Sequence, residues 1–224
     1  MSFGDKKLSE IAVSVPGSTS LLREYDLDFC CGGSDTLSTA AAEKGLNLAE
    51  IETRLTELQN SKAENPEEYW VNATYPEIID HILVRYHQRH REQLQELIVL
   101  ADRVESVHGD REDCPMGVAA ELRNVYEDLS NHMMKEEHVL FPMIKAGNYM
   151  MAQMPIRMME MEHAEHGEHL EVLKSLTNNM TPPADACNTW LALYSGIQEF
   201  IDDLMMHIHR ENNILFPRVI AENH

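Results

Sequence analysis

Basic residues are few in this chain. Eighteen lysines and arginines stand against 38 aspartates and glutamates, a formal charge of −20. That charge repels nucleic acid and anionic membranes, and no basic tract offers either of them a foothold. No apolar run approaches the length of a membrane span, and Met1 to Glu10 holds neither the basic nor the apolar segment of a secretory leader. A cytoplasmic protein with no nucleic-acid or membrane partner is the expectation. Cysteine is scarce as well: Cys30 and Cys31 are adjacent, while Cys114 and Cys187 stand alone. That pattern builds neither a disulfide framework nor a zinc spacing, and it suits a reducing compartment. The 224 residues are long enough for a substantial core, as one large domain or as a small one plus a medium one.

What the chain does have is an internal repeat. Asp-Leu-x-x-His-x-x-x-Glu-x-x-x-Leu-Phe-Pro runs from Asp128 to Pro142 and again from Asp203 to Pro217, seven of fifteen positions identical across a shift of 75 residues. A weaker pair, His-x-x-His-x-Glu-x-Leu, starts at His87 and returns at His163. The later part of the chain thus reads as a duplicated helical hairpin.

Four long helical patterns carry these motifs, separated by Gly109 to Met116, Ala146 to Pro155 and Asn178 to Asp185. Thr74 with Glu77 reads as a capping box opening the first. Steps of three and four give four inward seams. The first is Leu83, His87, His90, Leu94, Leu97, Ala101 and Val104; the second is Val118, Leu122, Val125, Leu129, His132, Glu136 and Val139. Ile156, Met159, His163, His166, Leu170 and Leu173 make the third, and Trp190, Leu193, Ile197, Phe200, Leu204, His207, Glu211 and Ile214 the fourth. The expected fold is all-α: an antiparallel four-helix bundle over residues 76–224, preceded by a small helical Cys-Cys domain over residues 1–60. Short helices are expected there at Leu8–Val15, Thr19–Tyr25, Thr36–Lys44 and Leu48–Gln59, with Asn60 to Tyr75 as a polar linker.

Histidine and glutamate within apolar seams need partners, since an unpaired buried polar group costs on the order of a few kcal/mol and an unpaired charge more. One histidine on an apolar stripe is ordinarily a core residue; six polar groups in a duplicated arrangement point to metal. A histidine and a glutamate four residues apart share one helix face, so both can reach one ion while the second carboxylate oxygen reaches another. His132, Glu136, His207 and Glu211, joined by His87 and His163, supply four nitrogens and two bridging carboxylates, a set that suits a pair of first-row metals with an oxo or hydroxo bridge. His90 and His166, one turn further on, are open as ligands, outer groups or channel lining. Asp128 and Asp203 are placed either to orient a free imidazole nitrogen or to sit on an exposed face. The methionines at Met150, Met151, Met154, Met158, Met159 and Met161 are expected as flexible core filling. His81, His108, His138, His169, His209 and His224 fit no repeated pattern and are expected at the surface.

With these residues the chain resembles the hemerythrin-like cation-binding family. It departs from the oxygen-carrying members: their third helix has His-x-x-x-His, where His163 is here followed by Gly167, and their last helix pairs histidine with aspartate at a spacing of five, where Glu211 follows His207 at four. The stretch Tyr25-Asp26-Leu27-Asp28-Phe29-Cys30-Cys31-Gly32-Gly33, with Asn131 to Glu137, Leu140-Phe141-Pro142 and Glu211-Asn212-Asn213, is similar to the repair-of-iron-centres proteins. That resemblance implies a stress-response protein, a homodimer, with an oxo-bridged iron pair on the six ligands above. Its partners would be damaged iron-sulfur proteins and a small diatomic molecule, nitric oxide or dioxygen. Repair or iron donation is the leading function implied; a di-iron nitric oxide reductase or peroxidase and a sensing module are the alternatives. Cys30 and Cys31 are the expected reactive thiols, because a vicinal pair closes a disulfide only with strain.

Overall fold

A computed structural model describes residues 2–61 and 63–222; the surface assignment of His224 lies outside them. No strand forms among the described residues, whose only sheet-like pairing is an isolated bridge between Lys7 and Thr36. Helices follow in the order α1 (Leu8–Ser14), α2 (Ser18–Glu24), α3 (Leu37–Glu43), α4 (Leu48–Asn60), α5 (Pro66–Asn72) and α6 (Tyr75–His81). A π-helical turn, Ile82–His87, leads into α7 (Gln88–His108). Next comes α8 (Val118–Lys135), a second π turn Glu136–Leu140, α9 (Phe141–Lys145) and α10 (Tyr149–Leu176). The chain closes with α11 (Asn188–Arg210), a third π turn Glu211–Leu215 and α12 (Phe216–Ala221). No helix among the described residues is long and apolar enough to cross a membrane.

Local chemistry accounts for the starts. Thr36 accepts the Thr39 N–H at the head of α3, and Asn65 accepts the Glu67 N–H at the head of α5, where Pro66 takes the first-turn position that needs no donor. The Thr74 and Glu77 box is reciprocal: Glu77 Oε2 accepts the Thr74 N–H at 2.8 Å and Thr74 Oγ1 accepts the Glu77 N–H at 3.4 Å. Gly117, with φ of 98°, opens α8 in a conformation that a side chain would strain.

The chain forms two compact units, Met1–Ile78 with Met206–His224, and Ile79–Met205. In the second unit α7, α8, α10 and residues 188–205 of α11 make an antiparallel four-helix bundle. Side-chain bonds set the directions. Between α7 and α8, Asp102 meets Arg123, Gln95 meets Tyr126 and Arg91 meets Glu137, so numbers fall along one helix as they rise along the other. Lys135 with Glu162 and Asp128 with His169 relate α8 and α10 in the same sense. Arg85 with Asp203 and Arg89 with Glu199 do so for α7 and α11.

The expected seams are buried almost throughout, from Leu94 to Val104, Val118 to Leu129, Ile156 to Leu173 and Trp190 to Ile201. Each large apolar side chain so placed contributes about 1.5–3 kcal/mol.

In the first unit, Leu8, Ile11, Leu22, Leu27, Phe29, Leu37, Ile51 and Leu55 form the core of the short helices, and Ile208, Leu215, Phe216 and Val219 are buried as well. Asn212 donates to the Cys30 carbonyl at 3.0 Å and Asn213 to that of Phe29 at 2.8 Å. Arg218 donates to the Trp70 carbonyl at 3.2 Å.

Several expectations need correction. The linker contains α5, a helix that its capping asparagine and Pro66 announce and its polarity conceals. The second break spans only residues 146–148; Pro155 lies inside α10, beyond its first turn, where it forgoes one helix hydrogen bond. Val139 is exposed, and Leu140 is buried in its place, because the π turn adds a residue to the helical repeat; Leu83 likewise yields to Ile82. Met159 packs in the core, but Met150, Met151, Met154, Met158 and Met161 are exposed rather than core filling.

Gly196 of α11 packs against Leu97 of α7: a Cβ there would stand 2.7 Å from Leu97 Cδ2. Gly196→Leu is expected to lower stability by about 1–3 kcal/mol in urea unfolding through overpacking. Gly196→Ala should cost less, because its methyl meets only the tip of Leu97 and alanine favours the helix by about 1 kcal/mol.

Candidate metal centre

Each π turn borders an expected ligand. His87 ends the first, Glu136 begins the second and Glu211 begins the third. In the second and third the cause is in the repeat: Pro142 and Pro217 lack an N–H, and their rings would strike the carbonyl four residues back, so the helix widens ahead of them. No proline explains the first.

In the second unit the donors converge from three helical segments. Glu136 Oε2 lies 3.3 Å from His87 Nε2 and 3.4 Å from His132 Nε2, and His132 Nε2 lies 3.1 Å from His163 Nε2. All four residues are 0–1% exposed. Neither Glu136 oxygen accepts a hydrogen bond, so a fully buried carboxylate is held among imidazoles without a proton donor to satisfy it.

The outer nitrogens explain why the inner ones face the carboxylate. His87 Nδ1 lies 2.8 Å from Glu137 Oε1, and His132 Nδ1 lies 2.9 Å from Glu162 Oε2. With each Nδ1–H donating outward, the Nε2 lone pair is turned inward, the tautomer of a metal-binding imidazole. Glu137 is drawn down to about 2 by the hydrogen bond with His87, against the effect of burial and with help from Arg91. Glu162 is drawn down to about 2 in the same manner by His132, with help from Lys135. The orienting carboxylates are therefore Glu137 and Glu162. Asp203 instead pairs with Arg85 and meets Gln93, and Asp128 meets His169. Glu137 and Glu162 each adjoin an expected ligand in sequence, off the seam, where periodicity does not look.

In the first unit His207 Nε2 and Glu211 Oε1 are 3.3 Å apart and both side chains are buried. The metal-type donors thus fall into two groups, His87, His132, Glu136 and His163 in the second unit and His207 with Glu211 in the first. A nitrogen-to-nitrogen distance of 3.1 Å is an ordinary edge around an ion whose bonds to imidazole are about 2.0–2.1 Å. The chemistry and spacing of the donors, with the unsatisfied Glu136, fit a metal centre.

Other histidines are less uniform than expected. His90 and His166 are buried and belong to neither group: His90 stacks on Tyr86 and meets the edge of Phe200, and His166 meets the edge of His132. His209 is not at the surface. It is fully buried, with Nδ1 2.8 Å from Asn213 Nδ2 and Nε2 3.5 Å from Glu67, and burial holds it below its ordinary pKa. Glu67 and Arg210 form a buried ion pair beside it. His169 is half-buried between Glu121 and Asp128. Cys187, which showed no partner by spacing, meets His108 Nε2 at 3.3 Å. These contacts join residues far apart in the chain, and no motif announces them.

Cys30 is buried and Cys31 half-buried, neither in a disulfide. At Gly33 the backbone approaches too closely for a side chain: a Cβ there would stand 2.5 Å from the Phe29 carbonyl oxygen.

A helical bundle that sinks imidazoles and a carboxylate in its core is a cation-binding protein of the hemerythrin class. Residues 78–219 match the hemerythrin HHE cation binding domain, an iron-binding fold, and residues 4–59 match a domain of unknown function, DUF542. The "Probable iron-sulfur cluster repair protein" of Haemophilus influenzae is 68% identical over 222 residues, covering 99% of this chain and 100% of its own. Proteins named "Iron-sulfur cluster repair protein YtfE" from Musicola paradisiaca and Escherichia coli O8 are each 55% identical, with 98% and 99% of both chains covered respectively. The chain belongs to the hemerythrin family and, within it, to the group of iron-sulfur cluster repair proteins.

Because Glu137 and Glu162 set the tautomers, Glu137→Ala and Glu162→Ala are each expected to weaken metal retention about 10–100-fold. Competition with a chelator of known affinity measures it, and unchanged retention would remove them from the site.

Proposed function

We propose that the protein repairs iron-sulfur clusters damaged by nitrosative or oxidative stress, using a pair of iron ions held by His87, His132, Glu136, His163, His207 and Glu211. The observation that carries the reading is the buried carboxylate of Glu136, which accepts no hydrogen bond and lies within 3.4 Å of two inward-facing imidazole nitrogens. Similarity to named repair proteins along nearly the whole chain supports the same reading. Residues 76–224 serve as the di-iron domain and residues 1–60 as the Cys-Cys domain.

When bound, the iron pair supplies redox capacity and metal ions that can be released. Glu136 and Glu211 would offset the positive charge of the ions, and His87, His132, His163 and His207 would supply imidazole nitrogens to hold them. Glu137 and Glu162 hold the protons of His87 and His132 on the outer nitrogens. The apolar seams around the site exclude water, which strengthens each of these electrostatic interactions. Such a donor set would leave room at the ions for a small diatomic molecule, nitric oxide or dioxygen. Cys30 and Cys31 supply thiol chemistry, the clients are damaged iron-sulfur proteins, and the working form is a cytoplasmic homodimer.

Two irons per chain are expected by metal analysis, falling to one or fewer in Glu136→Ala. In a recovery assay with a nitric-oxide-damaged dehydratase, the iron-loaded protein should restore activity and the His132→Ala variant should not. Equal recovery with the variant, or none with the parent, overturns the reading.

A further inference from the structure

A second set of metal-type donors lies on the loop after α2. Asp28, Cys30 and Cys31 place a carboxylate oxygen and two sulfurs within 4.8 Å of one another. Cys30 Sγ is 3.8 Å from Cys31 Sγ and 3.1 Å from Asp28 Oδ1. The first distance is informative. Two thiolates on one tetrahedral ion, with bonds of about 2.3 Å, stand about 3.8 Å apart, whereas a disulfide needs about 2.0 Å. A sulfur and a carboxylate oxygen on the same ion stand about 3.6 Å apart, so a small rotation of Asp28 completes the geometry.

The loop is built to hold the donors there. Asp28 Oδ1 accepts the N–H groups of Cys30 and Cys31 at 3.0 and 2.9 Å, and Oδ2 accepts that of Gly32 at 2.9 Å. Asn212 and Asn213 anchor the Cys30 and Phe29 carbonyls from the other side. The surroundings also favour a cation. Asp28 sets a carboxylate beside the buried Cys30 sulfur, an anionic setting whose charge a divalent ion offsets.

We propose that Asp28, Cys30 and Cys31 form a second cation site, selective for a thiophilic first-row divalent ion such as Fe(II) or Zn(II), with its fourth position facing outward. Asp28 is exposed and Cys31 half-buried, so the site exchanges its ion rather than sealing it in. Binding joins the ion to two thiolates and one carboxylate oxygen and releases two thiol protons to solvent; affinity therefore rises with pH. The client of such exchange, resting on the repair reading above, is a cysteine-ligated cluster whose thiolates enter the open position. Ion binding itself is independent of that reading.

Cobalt(II) titration of the reduced, full-length chain tests it, because sulfur-to-cobalt charge transfer reports thiolate ligands and is silent for the His and Glu donors of the bundle. The expected result is a band saturating at one thiolate-bound cobalt per chain, with release of two protons. It is lost in the double variant Cys30→Ser with Cys31→Ser, and half-saturation rises at least tenfold in Asp28→Asn, which retains an oxygen for the backbone donors. Absence of the band at saturating cobalt, its persistence in the double variant, or unchanged affinity in Asp28→Asn would overturn the proposal. A loss of iron from the bundle that leaves this band intact would count against the di-iron reading alone.

Discussion

The carboxylate of Glu136, buried in an apolar core without a hydrogen-bond donor, is the constraint on which the rest turns. Left uncompensated, such a charge costs far more than any single apolar contact returns. A fold stable by a margin of about 5–15 kcal/mol tolerates it only where a counter-charge is supplied. The neighbouring imidazoles are already committed, their protons directed outward to Glu137 and Glu162. A bound cation supplies such a counter-charge, as the match to a cation binding domain implies.

Duplication makes the arrangement economical to encode. One helical cassette, used twice, delivers a histidine, a glutamate one turn later and a proline that widens the helix between them. The π turns are more than incidental geometry. By adding a residue to the repeat, they let Glu136 face the core while Leu140 and Phe141 beyond it remain packed; without the extra residue Val139 would turn inward instead.

The first unit uses the same device for a different end. Glu211 begins a π turn whose next two residues, Asn212 and Asn213, hold the carbonyls of the Cys-Cys loop. One short segment thus carries a candidate ligand of the bundle centre and the anchors of the thiol loop. A change at either is felt by a backbone shared between them. Beside it, Glu67, His209 and Arg210 form a buried polar cluster that ties α5 to the end of α11.

Much was legible in order along the chain. Period and repeat located the four long helices and the six candidate ligands, since a side chain's face on a helix depends only on its position in the repeat; turn and capping residues located α1 to α4. The tertiary structure decided what depends on neighbours distant in sequence. It chose Glu137 and Glu162 rather than Asp128 and Asp203 as the imidazole partners, buried His209 against Glu67, exposed most of the methionines of α10, and paired Cys187 with His108. Periodicity is a property of one helix, whereas a hydrogen bond between helices depends on their packing, which no single stretch of sequence specifies.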